Sequence, residues 1–308
     1  MAKAKPIDGL ECNGDASRSA SRVLSVRFEE MIGFRDVAIS GETSVDGIHD
    51  MRVASRRLRS AVRDFSQLFG KKRLKPFTKR LKKLAKKLGE VRDVDVYVEW
   101  LAEINRNAPS SDIRLAIDQL ISASIADRAE RHMALADVVN SETLATLHSG
   151  LAAVLADDAN VDRHVNAGDF RGLGVDVINE LLESLIDHGA SFERPDDSDG
   201  LHKLRIAAKR LRYSLDLFDP CFGDNLHAFA KTLSKLQSRL GAIHDIDVWN
   251  EDLRARTDHE NNILPAAIDW LTAEMARERN ENYGWAHTLW NDAIAPRMVD
   301  EIRLILSP

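Results

Sequence analysis

The chain repeats itself at close to half of its 308 residues, which restricts it to folds built from two like halves. His49-Asp50-Met51-Arg52-Val53-Ala54-Ser55-Arg56-Arg57-Leu58-Arg59 aligns with His202-Lys203-Leu204-Arg205-Ile206-Ala207-Ala208-Lys209-Arg210-Leu211-Arg212. Leu88-Gly89-Glu90-Val91-Arg92-Asp93-Val94-Asp95-Val96 aligns with Leu240-Gly241-Ala242-Ile243-His244-Asp245-Ile246-Asp247-Val248 at nearly the same offset. Between these segments Phe65 meets Phe218, Phe77 meets Phe229, and Lys79, Lys83 and Lys87 meet Lys231, Lys235 and Arg239. Solenoid repeats recur every ~20–50 residues. The spacing here is far longer and describes one duplication, with two pseudo-symmetric halves meeting around an internal axis.

Each half reads as helical. Apolar residues recur at spacings of three and four over Ser17–Ile39, Gly47–Phe69, Pro76–Leu88, Val91–Ile104, Ile113–Val138 and Thr143–Leu155. A second set runs over Val175–His188, Leu201–Phe218, Leu226–Leu240, Ile243–Arg254, Ala266–Glu278 and Asn282–Leu306. Ser40-Gly41, Gly70, Asn107-Ala108-Pro109, Asn166–Gly174, Pro195-Asp196-Asp197, Asp219-Pro220 and Gly223 punctuate them, and 8 prolines and 16 glycines are too few and too unevenly placed for a β-sandwich. The expected class is all-α. With 44% apolar and 30% charged residues a disordered chain is excluded, although residues 1–16 are expected to form a disordered tail. Met1–Gly14 has no signal-peptide core, and no run of about 18 apolar residues occurs. Cys12 and Cys221 are too few for a disulfide framework and lack metal-ligand spacing, so the expectation is a soluble protein of a reducing cytoplasm.

On a wheel of about 100° per residue, His49, Arg52, Arg56, Arg59 and Arg63 share one side of their helix, opposite Met51, Ala54, Leu58, Val62 and Phe65. The same projection groups Lys75, Lys79, Lys82, Lys83 and Lys86, and groups His202, Arg205, Lys209 and Arg212. His49–Arg92 carries 16 Lys+Arg against three acids, a net of +13; His202–His244 carries eight against three, a net of +5. The whole chain is −6, so the remainder is −24. Like charges at i, i+3 and i+4 repel by some tenths of a kcal/mol per pair. Either internal acids neutralise such stripes or an anionic ligand does. A solvated face explains one Lys/Arg-rich helix, but it gives no reason for a histidine to head the same cationic spacing twice.

These repeated segments resemble the CHAD domain, the α-helical domain named for its conserved histidines. The carrying residues are His49-x-x-Arg52-Val53-x-x-Arg56-Arg57-Leu58-Arg59, its second copy from His202 to Arg212, and the two Leu-Gly-x-x-Arg/His-Asp-x-Asp-Val segments. The resemblance spans about residues 17–305, with halves at about 17–160 and 168–305. It implies two four-helix subdomains related by a pseudo-two-fold axis, with basic helices around a central cavity. The implied ligand is inorganic polyphosphate, bound without catalysis and without a cofactor, with targeting to polyphosphate granules in some members. On this reading the contacts are His49, Arg52, Arg56, Arg59, Arg63, Lys75, Lys79, Lys82, Lys83, Lys86, His202, Arg205, Lys209, Arg212, Lys231, Lys235 and Arg239. Arg57 and Arg210, about 80° off the histidines on the wheel, either touch ligand from the flank or clamp Asp93 and Asp245. The second half departs from the pattern, because its lysine run thins and His244 replaces Arg92.

Three rival readings use the same residues. A nucleic-acid-binding protein would use the same cations, but a single-strand binder wants aromatic stacking platforms, and Phe65, Phe77, Phe218 and Phe229 project to apolar faces. A metal-dependent phosphohydrolase would draw on Asp93/Asp95 and Asp245/Asp247. Residues two apart on a helix point about 200° from each other, poor geometry for one metal, and the expected roles of these aspartates are capping or pairing with basic side chains. A scaffold whose own acids neutralise the stripes is the third. Trp249, Trp270, Trp285 and Trp290 are expected mostly in the core.

Overall fold

Helix α1 (Ala16–Gly33) begins where Asp15 Oδ1 accepts a hydrogen bond from the Arg18 amide at 2.8 Å, one of the donors a helix start leaves unpaired. The computed structural model describes residues 4–40, 44–156, 168–259 and 264–307. It is 87% helical, and no strand occurs among the described residues. The elements that follow are α2 (Arg35–Ile39), α3 (Ser44–Asp64), α4 (Ser66–Phe69), α5 (Lys71–Asn105), α6 (Ser111–Val138), α7 (Ser141–Ala156), α8 (Phe170–Asp187), α9 (Ser198–Phe218), α10 (His227–His259), α11 (Pro265–Leu289) and α12 (Val299–Leu306). Met1–Ala102 with Ile121–Leu173 forms one unit, and Glu103–Leu120 with Gly174–Pro308 forms a second.

In the first unit the buried row of α5, Leu74, Phe77, Leu81, Leu84, Leu88 and Val91, keeps alternating steps of three and four. It meets α1 through Phe28 and Phe77, whose ring centroids are 6.4 Å apart, while Phe65 at the end of α3 lies 5.9 Å from Phe170. Gly47 is a required glycine: a Cβ there would lie 2.6 Å from the Val37 backbone carbonyl carbon. Residues 4–15, read from the sequence as a disordered tail, carry definite contacts. Arg27 Nη1 donates to the Lys5 carbonyl at 2.8 Å, and the Arg171 amide donates to the Cys12 carbonyl at 2.8 Å.

In the second unit α9 and α10 pack through Leu201, Leu204, Leu211 and Leu215 on one side and Leu233, Leu236 and Leu240 on the other. An aromatic cluster closes its far end: Phe192 lies 6.0 Å from Tyr283 and 5.6 Å from Trp290 by ring centroids, and Tyr283 Oη donates to the Phe192 carbonyl at 2.6 Å. Trp290 is buried as expected, whereas Trp285 is 47% exposed.

Three expectations change. Pro76–Leu88 and Val91–Ile104 are one helix, as are Leu226–Leu240 and Ile243–Arg254, because Gly89 and Gly241 lie inside helices instead of ending them. The stretch expected as a helix over Asn282–Leu306 contains a π-helical segment, Trp290–Met298, around Pro296, which has no amide hydrogen for the regular ladder. Neither Cys12 nor Cys221 is a free thiol; both are disulfide-bonded, so the cysteines no longer argue for a reducing compartment. Among the described residues no helix is long and apolar enough to cross a membrane.

Candidate functional site

His49 lies in the first turns of α3, half-buried. Burial, and after it the guanidinium of Arg92, hold its pKa below the ordinary imidazole value, against an opposite pull from Asp50. Arg52, one turn on, reaches α5, where its Nη2 donates to Asp93 Oδ1 at 2.8 Å. It lies over Gly89, whose added Cβ would be 3.9 Å from Arg52 Nε. In the second copy Gly241 lies under Arg205 in the same way, at 3.6 Å. The Leu-Gly pair thus seats an arginine from the histidine-headed helix against the long helix.

The remaining cations of α3 divide. Arg57 reaches Glu30 and not Asp93: its Nη1 donates to Glu30 Oε1 at 2.7 Å, while Arg27 Nη1 holds Oε2 of the same buried carboxylate at 2.7 Å. Arg63 Nη2 donates to Ser60 Oγ at 2.9 Å, and its Nε lies 3.6 Å from Asp64. Arg56 is half-buried and Arg59 exposed, and neither makes an ion pair with a described residue. Loss of solvation around the Arg59 guanidinium, then the charge of Arg56, lowers the Arg59 pKa.

Along α5, Lys75, Lys79, Lys82 and Lys83 are exposed and make no ion pair with a described residue. Lys71, Lys72 and Arg80, which the wheel left out, share that condition. Glu90 takes Lys87 at 2.7 Å and stands 3.8 Å from Lys86.

In the second copy His202 and His244 face each other, Nδ1 to Nδ1 at 3.2 Å, with ring centroids 4.3 Å apart. Arg205 and Lys209 stand near them and are half-buried. Burial, then Arg205, lowers the pKa of both rings; His202 adds to this for His244, which falls to about 4. Arg212, expected on the wet face, is 7% exposed, and its Nη1 donates to Ser234 Oγ at 3.1 Å. The wheel assumed one wet face, but Leu211 to Leu215 are buried on every side of α9. Arg210 is half-buried, its Nε enclosed without a hydrogen bond. Lys231 and Lys235 are exposed and make no ion pair with a described residue, as at Lys79 and Lys83. Arg239 turns instead to α11, donating to Asn282 Oδ1 at 3.1 Å and lying 4.8 Å over the Trp285 ring.

Three of the four aspartates, Asp93, Asp95 and Asp247, hold arginines, one of the two roles expected of them. Asp93 takes Arg52 from α3, and Asp95, two residues on, takes Arg128 Nε from α6. In the second copy Asp247 takes Arg279 Nε from α11 at 2.6 Å. Arg128 and Arg279 carry the duplication one helix further than the alignment did. Among the described residues no group of three His, Cys, Asp or Glu side chains could hold a metal ion. His244, which faces His202, was not among the expected contacts, although its alignment with Arg92 was the available signal.

Comparison with known proteins gives this geometry a setting. Two uncharacterized proteins of Mycobacterium tuberculosis, Rv2226 (strain H37Rv) and MT2285 (strain CDC 1551), are each 27% identical over 278 residues, covering 84% of this chain and 50% of their own length. The chain therefore spans about half the length of these relatives. In fold it is similar to the crystal structure of the CHAD domain from the plant Ricinus communis, with a TM-score of 0.67 at 22% identity, over 99% of this chain and 96% of that one. It is also similar to PptA from Streptomyces chartreusis, with a TM-score of 0.66 at 14% identity, over 91% of this chain and 100% of that one. The CHAD domain model matches residues 22–254, the span that holds both histidine-headed helices and both Leu-Gly segments, and the chain belongs to the CHAD domain family.

Proposed function

We propose that this chain binds inorganic polyphosphate without transforming it. The observation that carries the reading is what remains after the internal ion pairs are formed. Carboxylates take Arg52, Arg57, Lys87, Arg128 and Arg279. Arg56, Arg59, Lys75, Lys79, Lys82, Lys83, Lys231 and Lys235 make no ion pair with a described residue, in a chain whose net charge is −6. An anion neutralises such a row and relieves its repulsion.

Polyphosphate suits the row because it presents closely spaced phosphoryl oxygens and no bases. Lysines supply mobile point charges and arginines forked donors to it. Burial of Phe65, Phe77 and Phe218 removes three stacking platforms a single-stranded nucleic acid would use. The engagement of Asp93, Asp95 and Asp247 by arginines supports binding over hydrolysis. Residence at polyphosphate granules belongs to this proposal.

The test is calorimetric titration with long-chain polyphosphate at two salt concentrations, for the wild type and for Arg56→Ala/Lys79→Ala/Lys83→Ala. Binding that weakens with salt and drops in the variant is expected. Absence of binding at low salt, or unchanged affinity in the variant, defeats the reading. Displacement by duplex DNA or RNA at equal phosphate concentration moves the assignment to nucleic acid.

A further inference from the structure

We propose that His202 and His244 form a phosphoryl-anion subsite that takes up a proton from solvent when it is occupied, so that the second copy binds polyphosphate in a proton-coupled way. The inference rests on the polyphosphate reading and deepens it.

The starting point is the asymmetry of the repeat. In the first copy the position facing the leading histidine is Arg92, a permanent cation whose Nη1 and Nη2 reach Glu99 at 2.9 and 3.3 Å. In the second copy that position is His244, whose Nδ1 is 3.2 Å from Nδ1 of His202. Neither Nε2 bonds to a described residue. One copy offers fixed charge, and the other offers charge that depends on a proton.

The chemistry of two facing imidazoles makes that dependence specific. With both rings neutral, one Nδ1 carries the shared hydrogen and the other accepts it. The donor ring then has a bare Nε2, an acceptor that repels a phosphoryl oxygen, while the acceptor ring has an Nε2–H. Adding one proton from solvent to the bare Nε2 leaves the Nδ1–H···Nδ1 bond in place, now charge-assisted. Both Nε2 atoms become donors, and the pair gains one positive charge.

The groups around the pair oppose that proton until an anion arrives. Arg205 and Lys209 on α9 disfavour a third cation, and burial adds to this. Asp199 on α9 and Asp247 on α10 act in the opposite sense, but Arg279 from α11 already occupies Asp247 through Nε at 2.6 Å and Nη2 at 3.4 Å. A bound phosphoryl group reverses the balance, since it favours the charged imidazole that Arg205 and Lys209 suppress. Arg205 and Lys209 thereby attract the anion and make its binding report pH.

The test measures protons and binding separately. Long-chain polyphosphate, with few titrating ends, is titrated near pH 6 in two buffers of different ionisation enthalpy. The wild type should take up as much as one proton per site, with affinity falling by up to tenfold per pH unit between about pH 5 and 7. His244→Arg, which installs the first-copy residue, should abolish the uptake and bind more tightly than wild type at pH 8. His202→Gln, a second way of breaking the pair, should also abolish it. Binding by the wild type without proton uptake overturns the inference and leaves the polyphosphate reading standing. So does uptake that persists in both pair variants. A wild type that binds no polyphosphate at low salt overturns both.

Discussion

Arg59 and Arg212 hold equivalent places in the two repeats, yet Arg59 is exposed and Arg212 is buried with its Nη1 on Ser234 Oγ at 3.1 Å. The duplication therefore conserves the helix and its histidine while assigning aligned cations to different work. Arg59→Ala should weaken polyphosphate binding at almost no cost in stability. Arg212→Ala should lower stability by about 1–3 kcal/mol, because it removes a buried packed stem and leaves Ser234 without this donor. Urea denaturation and calorimetry on both variants separate the roles; matching effects in the two would contradict the assignment.

The buried Arg27–Glu30–Arg57 cluster yields a larger effect. The Glu30 side chain is 5% exposed and takes a guanidinium on each oxygen at 2.7 Å. Glu30→Ala leaves two arginines without their carboxylate in a water-poor site, a loss of about 3–5 kcal/mol by comparison with other broken buried pairs. A denaturation midpoint within error of wild type would show the cluster to be energetically idle.

Removing lysines from α5 should separate binding from folding. Lys79→Ala/Lys82→Ala/Lys83→Ala deletes three exposed cations that make no ion pair with a described residue. Folding stability should hold or rise by some tenths of a kcal/mol as repulsion is relieved. Affinity for polyphosphate should fall, and so should the slope of log affinity against log salt concentration. The salt slope is the decisive readout, since a nonspecific structural defect would lower affinity without flattening it.

Two glycines should respond oppositely to alanine. At Gly89 a Cβ would stand 3.9 Å from Arg52 Nε, ordinary contact, so Gly89→Ala should gain about 0.5–1 kcal/mol of helix stability. At Gly189 a Cβ would come within 2.3 Å of the Trp290 ring, in an aromatic cluster with no slack, and overpacking should cost about 1–3 kcal/mol. Thermal unfolding of the two variants tests the contrast.

Stability of the ligand-free protein should fall on acidification through a window set by His244. Burial, then Arg205 and His202, hold this ring at about 4 in the folded state, against about 6.5 in an unfolded chain. Between those values the unfolded chain binds more protons, so the contribution is complete above about pH 6.5 and is lost as pH falls toward about 4. His244→Gln should lose less stability than wild type across that window. Parallel losses in the two proteins would count against the depressed pKa.

Helical periodicity made the all-α class, most helix positions and the basic faces of α3, α5 and α9 readable from the sequence, because one buried stripe leaves a mark every three or four residues. The Leu-Gly segments misled in one respect: the periodic stretches on either side of Gly89 and Gly241 read as separate helices, whereas each pair is one continuous helix. The aspartates could be read as capping groups or partners of basic side chains, but the partner expected for Asp93, Arg57, is not the one it takes, which is Arg52.

By itself the sequence determined that the chain is duplicated, helical and cationic along matched faces, since these follow from local spacing and from aligned residues. Tertiary structure alone decided which cations are committed. Arg57 and Arg56 are neighbours, and only the first has Glu30 within reach, 27 positions earlier in the chain. His202 and His244, 42 positions apart, become one titrating unit only when α9 and α10 pack. A helical wheel records where a side chain points, whereas the charge left over depends on which acid another helix brings to it.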